Sequence, residues 1–521
     1  MVTATPTYST ADWQLGYRSL TTEQEYWIPE IEGQIPAGLR GTLFRNGPGK
    51  LEAGSQRYGH PFDGDGMICA ITFVEGKAHF RNRFVRTREF EAGSQRYGHP
   101  FDGDGMICAI TFVEGKAHFR NRFVRTREFE AEEKAGRVLY RGVFGTQKPG
   151  GWWTNFLDLK FKNPANTNVI YQGDKLLALW EASAPYRLNP ADLTTEGIET
   201  FAGGISPHQP FTAHPRRDPK TGDLIAFGVR AALNSTLLFY RLDSQGRLTE
   251  KRDFQIPGFA FLHDFVWTPQ YRIFFQNPVV FNPLPFVLGW QSAGTCLTLK
   301  RGEPTRIWLF PNSGDPLHPI QLETEPGFVF HFVNGYEVGE QVIVDAILYE
   351  EYPALEPNAD YLHIDFTQVP AGKLWRFYLD PKAGSAKREL LLDRSVEFPA
   401  IHPAQMGGSH RYIYIGATHA PGPNAPLQAI LKLDTETGRT QQYSFAPRGF
   451  VGEPVFIPYP ASQGEEEGWI VTVIFDAASQ CSQVVVLEAQ DPAAGPIARI
   501  PLRHHIPYGL HGSFTPQVWV N

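Results

Sequence analysis

The chain has 521 residues, 42% hydrophobic and 20% charged, with a formal net charge of −7 and a pI near 6.2. This composition supports a large packed core and excludes a disordered chain, and the absence of a long basic run excludes nucleic acid as the main partner. Four cysteines, two of them in copies of one segment, imply no disulfide framework.

The first twenty residues are polar, without a basic start or an apolar core, and no apolar run reaches the ~18 residues of a spanning helix. A cytoplasmic protein is expected. Helical periodicity is confined to a short piece near the N-terminus. Residues 52–92 then recur without a change as residues 91–131, a period of 39. Structural repeats under selection diverge, so this one reads as a recent duplication, 52–90 and 91–129. One copy is expected to be surplus within a single domain spanning 1–521. Next, GGWWTNFLDLKFK (150–162) sets aromatic residues beside lysines, the composition of a segment lying on a membrane interface.

Beyond it, Gly and Pro punctuate short runs rich in β-branched and aromatic residues: KLLALWEA, LIAFGVRA, STLLFYRLD, QVIVDAILY, RYIYIGATH, GWIVTVIFDA and SQVVVLEAQD. They predict an all-β protein. Strands ending in Leu-Asp before a polar, Gly-containing turn recur at residues 242, 379 and 433, as a hairpin used blade after blade would. Residues 277–290, NPVVFNPLPFVLGW, carry three prolines, too many for a central strand. They form either an exposed apolar interaction site or a loop folded over the core.

GFVFHFVNGYE, residues 327–337, places one imidazole, His331, in a strand-like apolar run. A buried neutral His needs partners for both nitrogens, since each left unpaired costs roughly 1–3 kcal/mol. Alone, His331 would read as a core residue bonded to backbone. The same setting recurs at His214 in PFTAHPRRDP, His263 in GFAFLHDFVWT and His511 in IPYGLHGSF. Their separations of 49, 68 and 180 residues are too long for a finger or an HExxH helix, and suit ligands drawn from different repeats of one closed architecture. Imidazole suits Zn, Cu, Fe and Ni, so ligand type does not choose the metal. Neutral ligands leave the ion's charge uncompensated, which calls for carboxylates behind the rings. Glu181, Glu397 and Glu453 stand in apolar contexts suited to that role, although each reads equally well as a strand-end residue facing water. There is no GxSxG elbow, P-loop or GxGxxG, and FDGDGM lacks the spacing of a calcium loop.

Taken in order, RNGPG, HPFDGDGM, ANTN, LWE, AHPRRDP, FLHDF, FHFVN, EFP, GEP and LHGS resemble the carotenoid cleavage oxygenases, and most of all the cyanobacterial apocarotenoid oxygenases. The resemblance runs from Gly16 to Phe514, excepting one copy of the duplication. It implies a seven-bladed β-propeller with Fe(II) on its axis, held by His214, His263, His331 and His511. Glu181, Glu397 and Glu453 would bond to His263, His331 and His511, leaving His214 without a carboxylate. Thr167 would crowd one of the two remaining iron positions, so that O2 takes the other. An aromatic substrate tunnel is implied at Tyr17, Phe144, Trp180, Phe261, Phe330, Tyr349 and Phe398, with Phe62 or Phe101 from the duplicated segment. Phe332 stands where several relatives carry a second His, without disturbing the assignment of His331.

The implied reaction is cleavage by O2 of a C=C bond of an apocarotenoid, the central 15,15′ bond, to retinal-like aldehydes. The expected form is a monomer with weak peripheral membrane contact through residues 277–290. Two rival readings are an iron-dependent retinoid isomerase or hydrolase and a catalytically silent carotenoid-binding propeller.

Overall fold

The computed structural model describes residues 7–50, 105–113, 116–314, 318–353 and 361–519, with short strand pieces between 52 and 81. Phe62 and Phe101 lie outside the described residues. Nearly all regular structure is strand. Five four-stranded antiparallel sheets succeed one another, beginning at Asn168–Gln172, Arg216–Arg217, Val266–Trp267, Phe328–Val338 and Val396–Ala400. A six-stranded sheet runs from Gly449–Val451 to Pro496–Pro501 and takes its outermost strand, Glu32–Gly33, from the N-terminal region. An eight-stranded sheet is built on Gly41–Lys50, Gly105–Val113 and Lys116–Phe123, and Gly512–Thr515 joins it from the other end of the chain. These two exchanges tie the ends of the chain together and close the ring.

The core lies between consecutive sheets. Leu177, Phe211 and Tyr240 pack between the first and second four-stranded sheets, Phe227, Phe274 and Phe310 between the second and third, and Phe275, Val344 and Phe377 between the third and fourth. Ile347 with Leu431, then Tyr414 with Val485, continue the series around the ring. A strand covered on both faces has no solvent side, which is why Gln341–Tyr349 is apolar at nearly every position instead of alternating, with its buried Asp345 paired to Arg376. The Leu-Asp turns join third and fourth strands of three sheets. Asp243, Asp380 and Asp434 each accept backbone N–H groups from two to four residues ahead, the local bond that makes Asp recur there.

The fold is an all-β propeller. Five four-stranded blades and one six-stranded blade make six outside the duplicated region, one fewer than the seven that the resemblance implies. The eight-stranded sheet departs from the regular blade because two identical sequences offer the same residues to one neighbour. Leu43, Phe44 and Arg45 pair with Ile71, Ala70 and Cys69 and equally with Ile110, Ala109 and Cys108. Glu25 likewise pairs with both Arg81 and Arg120.

Residues 277–290 are more regular than their prolines suggest. They form the strand Val279–Phe281 and the helix Pro283–Val287, with proline at the tolerated first turn and Asn282 as N-cap.

Candidate metal centre

Each of the four histidines sits on or beside a blade strand: His214 two residues before Arg216–Arg217, His263 three before Val266–Trp267, His331 within Phe328–Val338 and His511 directly before Gly512–Thr515. Those strands converge, and one nitrogen of each ring lies within 4.8 Å of the others. The strand of His331 bulges on both sides of Phe332, and a bulge re-aims the neighbouring side chains.

Carboxylates lie behind three rings. Glu181 Oε1 is 3.1 Å from His263 Nδ1, Glu397 Oε2 is 2.6 Å from His331 Nδ1, and Glu453 Oε1 is 2.8 Å from His511 Nδ1. No carboxylate of the described residues is bonded to His214. The three acids are themselves held differently. Glu397 accepts the Tyr349 hydroxyl at 2.8 Å and the Phe398 N–H at 2.7 Å. Glu453 accepts from the Arg45 guanidinium and from the Gly512 N–H at 2.9 Å. Glu181 Oε2 is buried without a partner.

Because the acids occupy the Nδ1 side, the Nε2 atoms turn inward. Nε2 of His214 and Nε2 of His263 face each other at 2.9 Å, and the buried Nε2 of His331 has no partner. Nitrogen lone pairs aimed at one point repel, and a cation removes the repulsion, so these residues fit a divalent metal. The electrostatics prepare it. Burial, then the neighbouring imidazoles, hold His214 well below its ordinary pKa, and burial also lowers His511. Burial acts on His331 in the same sense, but Glu397 outweighs it and raises that ring. Burial would raise the acids, yet His263 keeps Glu181 low, His331 keeps Glu397 low, and Arg45 with His511 keeps Glu453 low. Three carboxylates held low thus stand behind the cluster.

His402, His410 and His419 are engaged elsewhere: His402 accepts the Ala404 N–H, His410 pairs with Asp345 at 3.0 Å, and His419 meets the Ser444 hydroxyl at 2.7 Å.

A cavity of about 390 Å³ opens from the cluster, with Thr167, His263, His331 and His511 in its wall. The carbonyl of Thr167 accepts the His511 N–H at 3.1 Å. Tyr17, Phe144, Phe330, Tyr349 and Phe398 line the cavity. Phe398 does so through a left-handed backbone, φ 58°, beside the bulge at Glu397, and strain of this kind is tolerated where surroundings fix it. Two expected tunnel residues stand back from the wall. Trp180 is buried beside Glu181, and Phe261 stacks on Phe328 and packs edge-on against Tyr352. The sequence reading missed Trp13, Tyr352, Phe366, Phe450, Phe475 and Tyr508, which complete the lining. Several come from loops, where no periodicity marks them, although the aromatic density of ADWQLGY was a usable signal.

Beside the cavity, the two apolar stretches noted in the sequence meet. Buried Arg141 donates to the carbonyls of Asn155, Asp158, Phe286 and Gln291, and Leu157 N–H bonds to Val287 O at 2.9 Å. Trp153, Leu157, Leu159, Leu284 and Trp290 remain exposed on the joint surface, whereas Phe286 turns inward beneath Arg141.

A propeller with four imidazoles converging on one point, three of them backed by carboxylates, defines a candidate metal centre that faces an aromatic cavity. A family model described as retinal pigment epithelial membrane protein, RPE65, matches residues 17–96 and 89–516, and the chain belongs to this family of carotenoid cleavage oxygenases. The two matched stretches overlap where the two copies of the duplication join. The apocarotenoid-15,15′-oxygenase of Synechocystis is 42% identical over 99% of this chain and 100% of its own length. Isoeugenol monooxygenase of Pseudomonas nitroreducens is 27% identical, over 95% and 96%. The structure of a cobalt-substituted Synechocystis apocarotenoid oxygenase superposes with a TM-score of 0.88 at 41% identity, covering 98% of this chain and 100% of that one.

Proposed function

We propose that the protein uses Fe(II) and O2 to cleave one C=C bond of an apocarotenoid, the central 15,15′ bond, into two aldehydes. The observation that carries this reading is the contact between the histidine cluster and an aromatic cavity. Iron, when bound, supplies the activation of O2.

The chain's own residues do the rest. His214, His263, His331 and His511 hold the ion, and Glu181, Glu397 and Glu453 fix three of the rings and balance its charge. Aromatic walls take up a flat polyene by burying apolar area, at roughly 25 cal/mol per Å², and hold it in one orientation. The depth to which the polyene slides then selects the bond. Thr167, in the cavity wall, would narrow the space beside the ion. We read the eight-stranded sheet as the seventh blade of one monomeric domain, with one copy of the duplication surplus. The apolar surface at residues 150–162 and 277–290 is proposed as a weak, reversible membrane contact of a cytoplasmic protein.

Incubation of the iron-loaded protein with an apocarotenal under ¹⁸O2 tests the reaction. Label is expected in the aldehyde product. Isomerised or hydrolysed retinoid without label would favour the rival enzyme, and bound but unchanged polyene would favour a silent carrier.

A further inference from the structure

Behind the imidazoles lies an ion pair that touches three of the four ligand segments. Arg216 is two residues after His214, and Asp264 directly follows His263. The Arg216 Nη2 lies 2.8 and 2.7 Å from the two Asp264 oxygens. Asp264 Oδ2 also accepts the N–H of Phe332, next to His331, at 2.8 Å, and Oδ1 accepts the N–H of Phe265 at 2.7 Å. Arg216 in turn donates to the carbonyls of Phe265 and Phe332, each at 3.1 Å. Asp264 is 4% exposed.

We infer that Arg216 and Asp264 are positioning residues, a clamp that sets His214, His263 and His331 at metal-binding separation. The argument rests on where Phe332 sends its backbone. The ladder shifts register on both sides of it, and its N–H and C=O go to the clamp, so the bulge that aims His331 is held by side chains from the other two ligand segments. The planar, multiply donating fork of Arg can reach a carboxylate and two carbonyls together, which a Lys ammonium cannot reproduce in the same geometry. Asp345 and Arg376 form another buried Arg–carboxylate pair, with Nε and Nη2 at 2.8 and 2.7 Å from the two oxygens, but join the strands Gln341–Tyr349 and Lys373–Asp380, which carry no metal-binding His. That pair is the internal control.

The inference rests on the proposed metal centre and is tested with Co(II) as probe, by titrating metal-free wild-type, Arg216→Met and Arg376→Met proteins. Arg216→Met is expected to lose tenfold or more in Co(II) affinity and to change the visible ligand-field spectrum, while Arg376→Met lowers the melting temperature and leaves both unchanged. Should Arg216→Met fail to fold, Arg216→Lys, which keeps the charge but not the fork, carries the same test. Wild-type affinity and spectrum in the folded Arg216 variant would overturn the clamp, and so would an equal loss in Arg376→Met. Failure of the wild-type protein to bind Co(II) would instead overturn the metal centre itself.

Discussion

His511 is the ligand whose supporting acid also carries an ion pair, since Glu453 meets the Arg45 guanidinium as well as the Gly512 N–H. Glu453→Gln keeps an acceptor for the ring but strips the counter-charge from a buried guanidinium. Metal affinity is expected to fall about 10–100-fold, measured by metal titration, and to fall less in Glu181→Gln, where one oxygen has no partner to lose. Removing a ring is harsher: His331→Ala is expected to abolish cleavage and deplete bound iron, while His402→Ala and His419→Ala keep both. Full activity in His331→Ala would end the four-histidine account.

A residue outside the site should govern acid stability. Burial, then His505, pushes the His504 pKa down to about 3 from an ordinary 6.5. Between those values the unfolded chain binds the proton and the folded one does not, so stability is full above pH 6.5 and falls as pH drops. The loss is about 1.4 kcal/mol per unit, hence roughly 2 kcal/mol by pH 5. Urea midpoints at pH 7 and pH 5 are expected to diverge less in His504→Gln than in the wild type. Equal divergence would count against His504 as the source.

Among the elements, the duplicated strands are the least settled, because one place in the eight-stranded sheet is offered to two identical sequences. Deleting residues 91–129 leaves 482 residues and every distinct strand sequence. Closing an extra loop of this length costs only about 3 kcal/mol plus a constant, so the larger liability is the surplus apolar strand, which competes for the same neighbour and is prone to aggregate. The shortened protein is expected to be more soluble and to melt higher in calorimetry, with metal affinity unchanged. An insoluble product would show that both copies have structural places. The sequence was legible where chemistry is local. Apolar runs such as Gln341–Tyr349 and the Leu-Asp turns announced strands and hairpins because burial on both faces and Asp side-chain bonds are written into adjacent residues. The histidines were legible because imidazole recurs in four segments among apolar or small residues, His331 within a strand and the others just before one. The Arg216–Asp264 pair and the wall residues Tyr352 and Phe366 were not, since their partners lie far off in the chain and only the ring brings them together. Phe286 shows the same limit: composition placed it on a greasy surface, and the fold buries it against Arg141.

At the scale of the whole molecule, ring closure puts the donors and the cavity at the meeting point of the blades, and therefore forces an apolar substrate to enter past loops. The loops nearest the cavity wall at Phe144 and Thr295 are those that expose Trp153, Leu157, Leu284 and Trp290. No helix of the described residues is long and apolar enough to cross a membrane. Clustered aromatic and aliphatic side chains beside the exposed Lys160 suit the headgroup boundary, where a polyene dissolved in the bilayer can pass into the cavity without crossing water. Changing Trp153, Leu157, Leu284 and Trp290 to Ser is expected to abolish flotation with liposomes and to slow cleavage of liposome-borne substrate. Turnover of the same substrate in detergent micelles should stay near the wild-type rate, since none of the four lines the cavity. Phe286 is left in place because its loss would damage packing under Arg141 and confuse the readout. Equal flotation of variant and wild type would remove this surface as the membrane contact, and a matching loss of rate in micelles would place the four residues in the catalytic path instead.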